Sequence, residues 1–191
     1  MIVSGEQIVS IHTRRGAQLY QLPASEYSRL EWTRMASMPS KCTLQTVPGY
    51  LSLPELQPWA HWVSVWDGDG RSLYWTGPIR RVEQGDDWLQ VQAFDVGVLM
   101  AFTRCPISRR WDAAAPTEIA AALWQAMLDQ HGVRARADVR RDPRADRFAF
   151  SCLADSVMLD EIMDQLVTVG LHWSVVAGTP LLGPVSLEPG A

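Results

Sequence analysis

The chain has 191 residues, 47% of them apolar and 20% charged, with 21 acidic side chains against 17 basic ones. That length suits one large domain or two small ones, with roughly 70% of the unfolded surface buried on folding. The composition argues against extended disorder, and the net charge of −4 argues against a dedicated nucleic-acid binder, which carries a basic footprint.

Three cysteines, Cys42, Cys105 and Cys152, have no C-x-x-C spacing. They give neither a disulfide framework nor a zinc site, and reduced, partly buried thiols are expected. No run approaches the apolar length of a membrane span, so no membrane insertion is expected. The opening Met1-Ile2-Val3-Ser4-Gly5-Glu6 lacks a basic stretch followed by an apolar one, so no signal peptide is expected.

The first part of the chain reads as strands. Ile2 and Val3, then Ile8, Val9 and Ile11, favour extended structure. Arg14, Arg15 and Gly16 mark a turn. Leu19, Tyr20 and Leu22 precede Pro23, whose missing N–H ends a strand or keeps it on an edge. Leu30, Trp32 and Arg34 alternate with polar residues, and 41–47 alternate again. Pro48, Pro54 and Pro58 then make 48–58 a long loop or irregular crossing. Trp62–Trp66 and Leu73–Val82 are strands joined by Asp67-Gly68-Asp69-Gly70, where Gly and Asp suit a primed hairpin turn. Gly85-Asp86-Asp87 turns into Trp88–Phe94, with Leu89, Val91 and Ala93 on one face.

After Pro106 the pattern changes. Pro116 and Thr117 open a helix in which Ile119, Leu123, Trp124, Met127 and Leu128 share a side, and Gly132 closes it. Residues 134–147, dense in Arg and Asp, predict an exposed loop with one weak strand. Phe148, Phe150 and Cys152 alternate as a strand. Asp155 or Ser156 can cap a second helix with the stripe Leu159, Ile162, Met163, Leu166 and Val167, ended by Gly170. Leu171–Val176 is a strand, Gly178-Thr179-Pro180 turns into Leu181-Leu182, and Glu188-Pro189-Gly190-Ala191 reads as a tail. The fold class is α+β: a β-barrel-like antiparallel domain over 1–111, then a smaller α+β unit with two helices over 112–191.

Chemical motifs are sparse. The loop at Asp67 resembles a calcium loop only superficially, since Pro78 stands where the closing Glu belongs. The histidines His12, His61, His131 and His172 form no H-x-x-x-H pattern, and no G-x-S-x-G elbow or glycine-rich phosphate loop precedes a helix. No catalytic, metal-ligating or cofactor-binding residue is assigned, and no enzymatic activity is expected. Two features suit contacts instead. Nine Trp are many for this length; core and sheet packing is the first reading for most of them, and exposed Trp marks interface hot spots. Trp59, Trp62 and Trp66 are candidates; with Trp75 they could also stack on sugars, although a half-buried sheet shows the same alternation. Arg134, Arg136, Arg140 and Arg141 are the second group. Interspersed Asp138, Asp142 and Asp146 favour a solvated loop first, an ion-paired subunit contact second and DNA binding last.

The pieces Leu30-Glu31-Trp32, Trp75-Thr76-Gly77-Pro78-Ile79 and Ala93-Phe94-Asp95, with the helices that follow them in order, occupy roughly 27–176. In this order they resemble the minor tail and baseplate hub proteins of long, non-contractile-tailed bacteriophages. Such hubs are commonly much longer. The resemblance implies a structural virion component at the tail tip, synthesised in the host bacterial cytoplasm. It implies a ring of identical subunits, a trimer or alternatively a hexamer, joining the tail tube to distal tail proteins. Genomic DNA would pass through the channel without specific binding, and no cofactor is required. A distal tail ring protein and a carbohydrate-binding module for host-surface attachment are the alternatives.

Overall fold

A computed structural model describes residues 6–49, 51 and 56–184. Ile2, Val3, Pro54 and the tail at Glu188 lie outside the described residues. The chain is α+β and divides into two compact units. The first comprises 1–34, 39–96 and 176–178, and the second 35–38, 97–175 and 179–191. The run from Gly97 to Trp111, which the sequence places with the β-rich part, goes to the second unit because its strand pairs there.

The first unit is a curled antiparallel sheet of seven strands in the order β2-β1-β5-β6-β7-β4-β3. The strands are β1 (Gln7–Thr13), β2 (Gln18–Leu22), β3 (Arg29–Trp32), β4 (Lys41–Thr46), β5 (His61–Asp67), β6 (Leu73–Gln84) and β7 (Leu89–Phe94). Alternation places one side chain in two inside. Val9, Ile11, Leu22, Leu44, Val63, Val65, Trp75, Ile79, Leu89, Val91 and Ala93 form the core. Truncating one such aliphatic side chain to Ala typically costs about 2–5 kcal/mol. Cys42 lies in the same core, and burial pushes its thiol up to about 12.

β6 makes the curl possible. Its first half, to Pro78, pairs with β5. Its second half, from Ile79, pairs with β7. Pro78, which has no N–H to give to a ladder, sits at the handover as the last residue paired with β5. The register slips between Ile79 and Arg81, so Arg80 is the bulged residue, and its guanidinium lies 5.6 Å from the centre of the Phe94 ring. A bulge of this kind bends a strand and increases its twist. At Gly77 the bend brings β6 against the end of β7. A Cβ there would lie 2.8 Å from Asp95 Cα and closer still to the Phe94 carbonyl. Asp95 itself is 1% exposed. Its carboxylate accepts the Ser40 N–H at 2.7 Å, while its own N–H donates to Ser40 O at 3.0 Å.

The curl brings the β3 edge round towards β1 and the start of β6. The Trp32 ring stacks on Tyr74, with centroids 6.1 Å apart. The Trp32 indole N–H donates to the side-chain oxygen of Gln7, and the Tyr27 hydroxyl donates to the main-chain oxygen of the same residue. Side chains thus fasten the β3 end to β1 and β6 at a seam where no backbone ladder joins them.

Both hairpin loops are longer than the sequence suggests. Between β5 and β6 the loop runs from Gly68 to Ser72. Gly70 holds φ +68°, as expected for one of the two glycines, but no two-residue primed turn forms. The Asp67 carboxylate instead accepts the Arg71 N–H at 2.6 Å. The hydrogen bonds of this loop hold the Asp67 carboxyl below its ordinary pKa.

In the second unit, α1 (Pro116–Gln130) and α2 (Leu159–Thr168) supply the apolar core. Ile119, Leu123, Trp124, Met127 and Leu128 meet Leu159, Ile162, Met163 and Leu166 there, all buried. β8 (Arg109–Ala114) pairs with β10 (Phe148–Cys152), and β11 (Trp173–Val176), β12 (Thr179–Leu182) and β9 (Asp138–Val139) form a second small sheet. Trp173 meets Trp124 edge-on, 5.5 Å between centroids. The inserted segment 35–38 joins this sheet: Ala36 bridges Ser174 and Ser37 N–H donates to Trp173 O. The expected side-chain cap of α2 is absent. Its N-cap is Met158, without a side-chain hydrogen bond. Asp155 takes φ +60° and Ser156 Oγ donates to Leu153 O, so both residues build the preceding turn.

Gly77→Ala should lower stability by about 3 kcal/mol or more, because main-chain atoms must move to admit one methyl. Gly16 holds φ +90° with nothing within 4 Å of a Cβ, so Gly16→Ala should cost only about 1–2 kcal/mol. Asp95→Ala should cost about 1–3 kcal/mol by leaving the buried Ser40 N–H unsatisfied. Urea unfolding of the three variants tests the ranking; equal losses at Gly16 and Gly77 would refute the close approach.

Candidate interaction surfaces

The aromatic surface lies on the first unit. Trp59 is 38% exposed and holds φ +68°, a conformation that costs a non-Gly residue roughly 1–2 kcal/mol. Its N–H donates to Ile79 O at 2.7 Å, at the residue where β6 changes partners. The turn continues with the Gln57 N–H bound to His61 Nδ1 at 3.0 Å. Trp62, on the same strand face as Trp66, is only 7% exposed. Trp66 is half-buried, and its indole N–H donates to Ser10 Oγ at 2.9 Å. Of the three tryptophans singled out in the sequence, Trp59 alone is an exposed residue.

The same face carries a polar chain that the sequence did not reveal. His12 Nδ1 lies 2.8 Å from Thr13 O. A carbonyl only accepts, so Nδ1 carries a proton. Nε2 lies 2.8 Å from Ser64 Oγ, and Thr76 Oγ1 lies 2.7 Å from Ser64 Oγ on the other side. This matches a nucleophile beside a base, but Ser64 is 3% exposed and sits mid-strand between two paired neighbours. The chain satisfies buried polar groups on the outer side of the sheet. His12 and Ser64 come together only through the β1–β5 register, which no linear spacing shows. Among the described residues, no group of three or more His, Cys, Asp or Glu is placed to hold a metal ion.

The cationic surface lies on the second unit and is built from the end of α1. Gly132 takes φ +63°, its N–H bonds Asp129 O, and the Val133 N–H bonds Leu128 O. This is a Schellman closure, which turns the chain sharply off the helix. From there Arg134 and Arg136 point outward, while Ala135 and Ala137 are half-buried. With Gln125 and Asp129 they line a shallow depression. Arg140 is fixed by its main chain: its N–H donates to Leu182 O at 2.7 Å. Gly183 packs so closely that a Cβ there would lie 3.1 Å from Arg140 C. Its guanidinium stands 3.9 Å from Asp138, a loose exposed pair of little energetic weight. Arg141 is exposed and lines a second depression with Asp142 and Arg147.

Arg147 has a different task from its neighbours. Its guanidinium grips both oxygens of Glu118, at 3.2 and 2.9 Å, and Ala113 O. Glu118 in turn accepts the Ala115 N–H at the start of α1. The Arg147 hydrogen bonds come first, and the Ala115 N–H next, in holding the Glu118 carboxyl below the ordinary carboxylate range. A depressed pKa means the interaction is complete above the ordinary Glu value and lost as pH falls through the lowered one. NMR titration should find Glu118 ionising below the ordinary glutamate value, and Arg147→Ala should move that midpoint up. An unmoved midpoint in the variant would disprove the pairing.

No protein-family model matches the sequence, and no curated protein matches it. Solved structures do match the fold. A tail protein from Neisseria meningitidis is 14% identical, with a TM-score of 0.68 over 96% of this chain and 52% of its own. The 43 kDa tail protein of prophage MuSo2 from Shewanella oneidensis is 14% identical, with a TM-score of 0.60 over 94% of this chain and 54% of its own. A prophage tail protein from Listeria monocytogenes is 7% identical, with a TM-score of 0.61 over 93% and 50%. The chain spans about half the length of these structures, and over nearly all of its own length it has the fold of phage tail proteins.

Proposed function

We propose that this chain is a structural component of a phage-type tail, working by assembly and not by catalysis. The observation that carries this reading is the fold match to tail proteins over 93–96% of the chain. Within the tail, the reading is of a tail-tip or baseplate hub ring: identical copies, three or alternatively six, join the tail tube to distal proteins around the DNA channel. A closed ring repeats one heterologous contact about its axis. Two surface features suit such contacts. Trp59 is an exposed aromatic residue in a costly backbone conformation, and strain of that kind collects where a side chain must be presented. The exposed arginines 134, 136, 140 and 141 suit bidentate pairing with carboxylates of a neighbour. Sugar stacking is less well supported, because Trp62 is buried and Trp66 is tied to Ser10, which leaves no exposed row of indoles from these three.

The full chain, alone and mixed with its cognate tail-tube protein, should form closed rings of three or six by native mass spectrometry and negative-stain imaging. Only monomers in both samples would overturn the ring. Trp59→Gly relieves the backbone cost while deleting the indole, so its melting temperature should stay within a few degrees of the parent while assembly weakens about tenfold or more. Joint reversal of Arg134, Arg136, Arg140 and Arg141 to Glu should also weaken assembly without unfolding the chain. Full assembly in either variant would remove that surface from the contact.

A further inference from the structure

Cys105 and Cys152 are far apart in sequence but adjacent in the second unit. Cys105 lies between the 3-10 run Val96–Phe102 and β8. Its N–H donates to Val157 O and its carbonyl accepts the Asp155 N–H. Cys152 is the last residue of β10, paired with Arg109. Both thiols point at one acceptor. Cys105 Sγ lies 3.2 Å from Ile107 O, and Cys152 Sγ lies 3.3 Å from the same oxygen. All three cysteines of the chain are free thiols, and Cys42 is buried in the core of the other unit. A pair converging on one carbonyl is a different object from a lone buried cysteine: both sulfurs are directed at the same oxygen.

We propose that Cys105 and Cys152 form a modification site, a dithiol that closes to an intramolecular disulfide by exchange with a low-molecular-weight disulfide such as oxidised glutathione. Cys152 is half-buried and Cys105 fully buried, so the reagent meets Cys152 first. The Cys152 thiolate attacks one sulfur of the reagent, forms a mixed disulfide and releases one small thiol. The Cys105 thiol loses its proton to solvent, and its sulfur attacks Cys152 Sγ, forming the protein disulfide and releasing the second small thiol. The chain loses two hydrogens and two electrons, and the reagent is reduced to two thiols. Burial pushes the Cys105 thiol up to about 11, with Cys152 and Asp155 adding in the same direction. The second step is therefore the slow one near neutral pH. The bond fastens the end of β10 to the segment that pairs with the entry to α2. It also closes a long loop, the arrangement that most restricts an unfolded chain. The chemistry does not depend on the tail reading.

The full reduced chain is incubated with excess oxidised glutathione and analysed by intact mass and by digestion without reduction. The expected product has lost two hydrogens and yields one cross-linked peptide pair holding Cys105 and Cys152, with Cys42 still a thiol. Its melting temperature should rise by roughly 5–10 °C. Cys105→Ser should stop at a single glutathione adduct on Cys152, and Cys152→Ser should form no internal bond. In the parent chain, a lasting adduct on Cys152 with Cys105 free, two unreacted thiols, or bonds only between chains would each overturn the proposal. The parent measurement decides even if a variant fails to fold.

Discussion

The first unit depends on one close approach, that of β6 at Gly77 to the end of β7. No side chain fits there. Because none is present, a single strand can serve β5 with one half and β7 with the other. The neighbouring residues follow from it. Pro78 takes the last position paired with β5, Arg80 becomes the bulged residue, and Ile79 stays in the core while its carbonyl holds the Trp59 turn. Asp95, just beyond the contact, turns its carboxylate inward to Ser40. A buried carboxylate is tolerated only when hydrogen-bonded, and this one clamps two chain segments 55 residues apart.

Much of this architecture is legible in the amino-acid order. Alternation locates β5, β6 and β7, and the i, i+4 stripes of both helices correspond to buried faces. The short motifs that carry the family resemblance turn out to be points of close approach: Trp32 at the seam, Gly77-Pro78-Ile79 at the handover, Asp95 at the clamp. Gly77 is dictated by a backbone close approach, Trp32 by its ring and indole N–H, and Asp95 by its carboxylate. Other features depend on partners that the linear order does not show. A period of two tells which residues share a face, not which face is covered, so Trp62 and Trp66 look equivalent in sequence and differ in burial. Asp155 and Ser156 satisfy cap chemistry, yet the chain uses them one turn earlier. Gln7 gives no sequence signal, although it receives both hydrogen bonds that clasp the seam.

The cationic loop shows the same limit. Six arginines between residues 134 and 147 look uniform in composition, and the structure divides them. Arg147 completes the start of α1 through Glu118. Arg140 is positioned by its main chain against Leu182 and Gly183. Arg134, Arg136 and Arg141 line depressions beside the helix. Charge counting places the patch, but only the hydrogen bonds show which guanidinium is committed to its own chain.

The division into units also bears on how the chain is made. Residues 35–38 leave the first unit for the second, and residues 176–178 return. A ribosome therefore delivers the opening strands long before the hairpin tip that completes their unit. The tip includes Gly178, whose position lies against the Thr76 methyl. During elongation neither unit has all of its residues until 176–178 and the residues after them have been added. The seven strands of the first sheet are all translated by Phe94, while segment 35–38 waits for a partner sheet that includes Trp173 and Ser174. Because the two units exchange segments along the chain, a cut at a single linker cannot release either one whole.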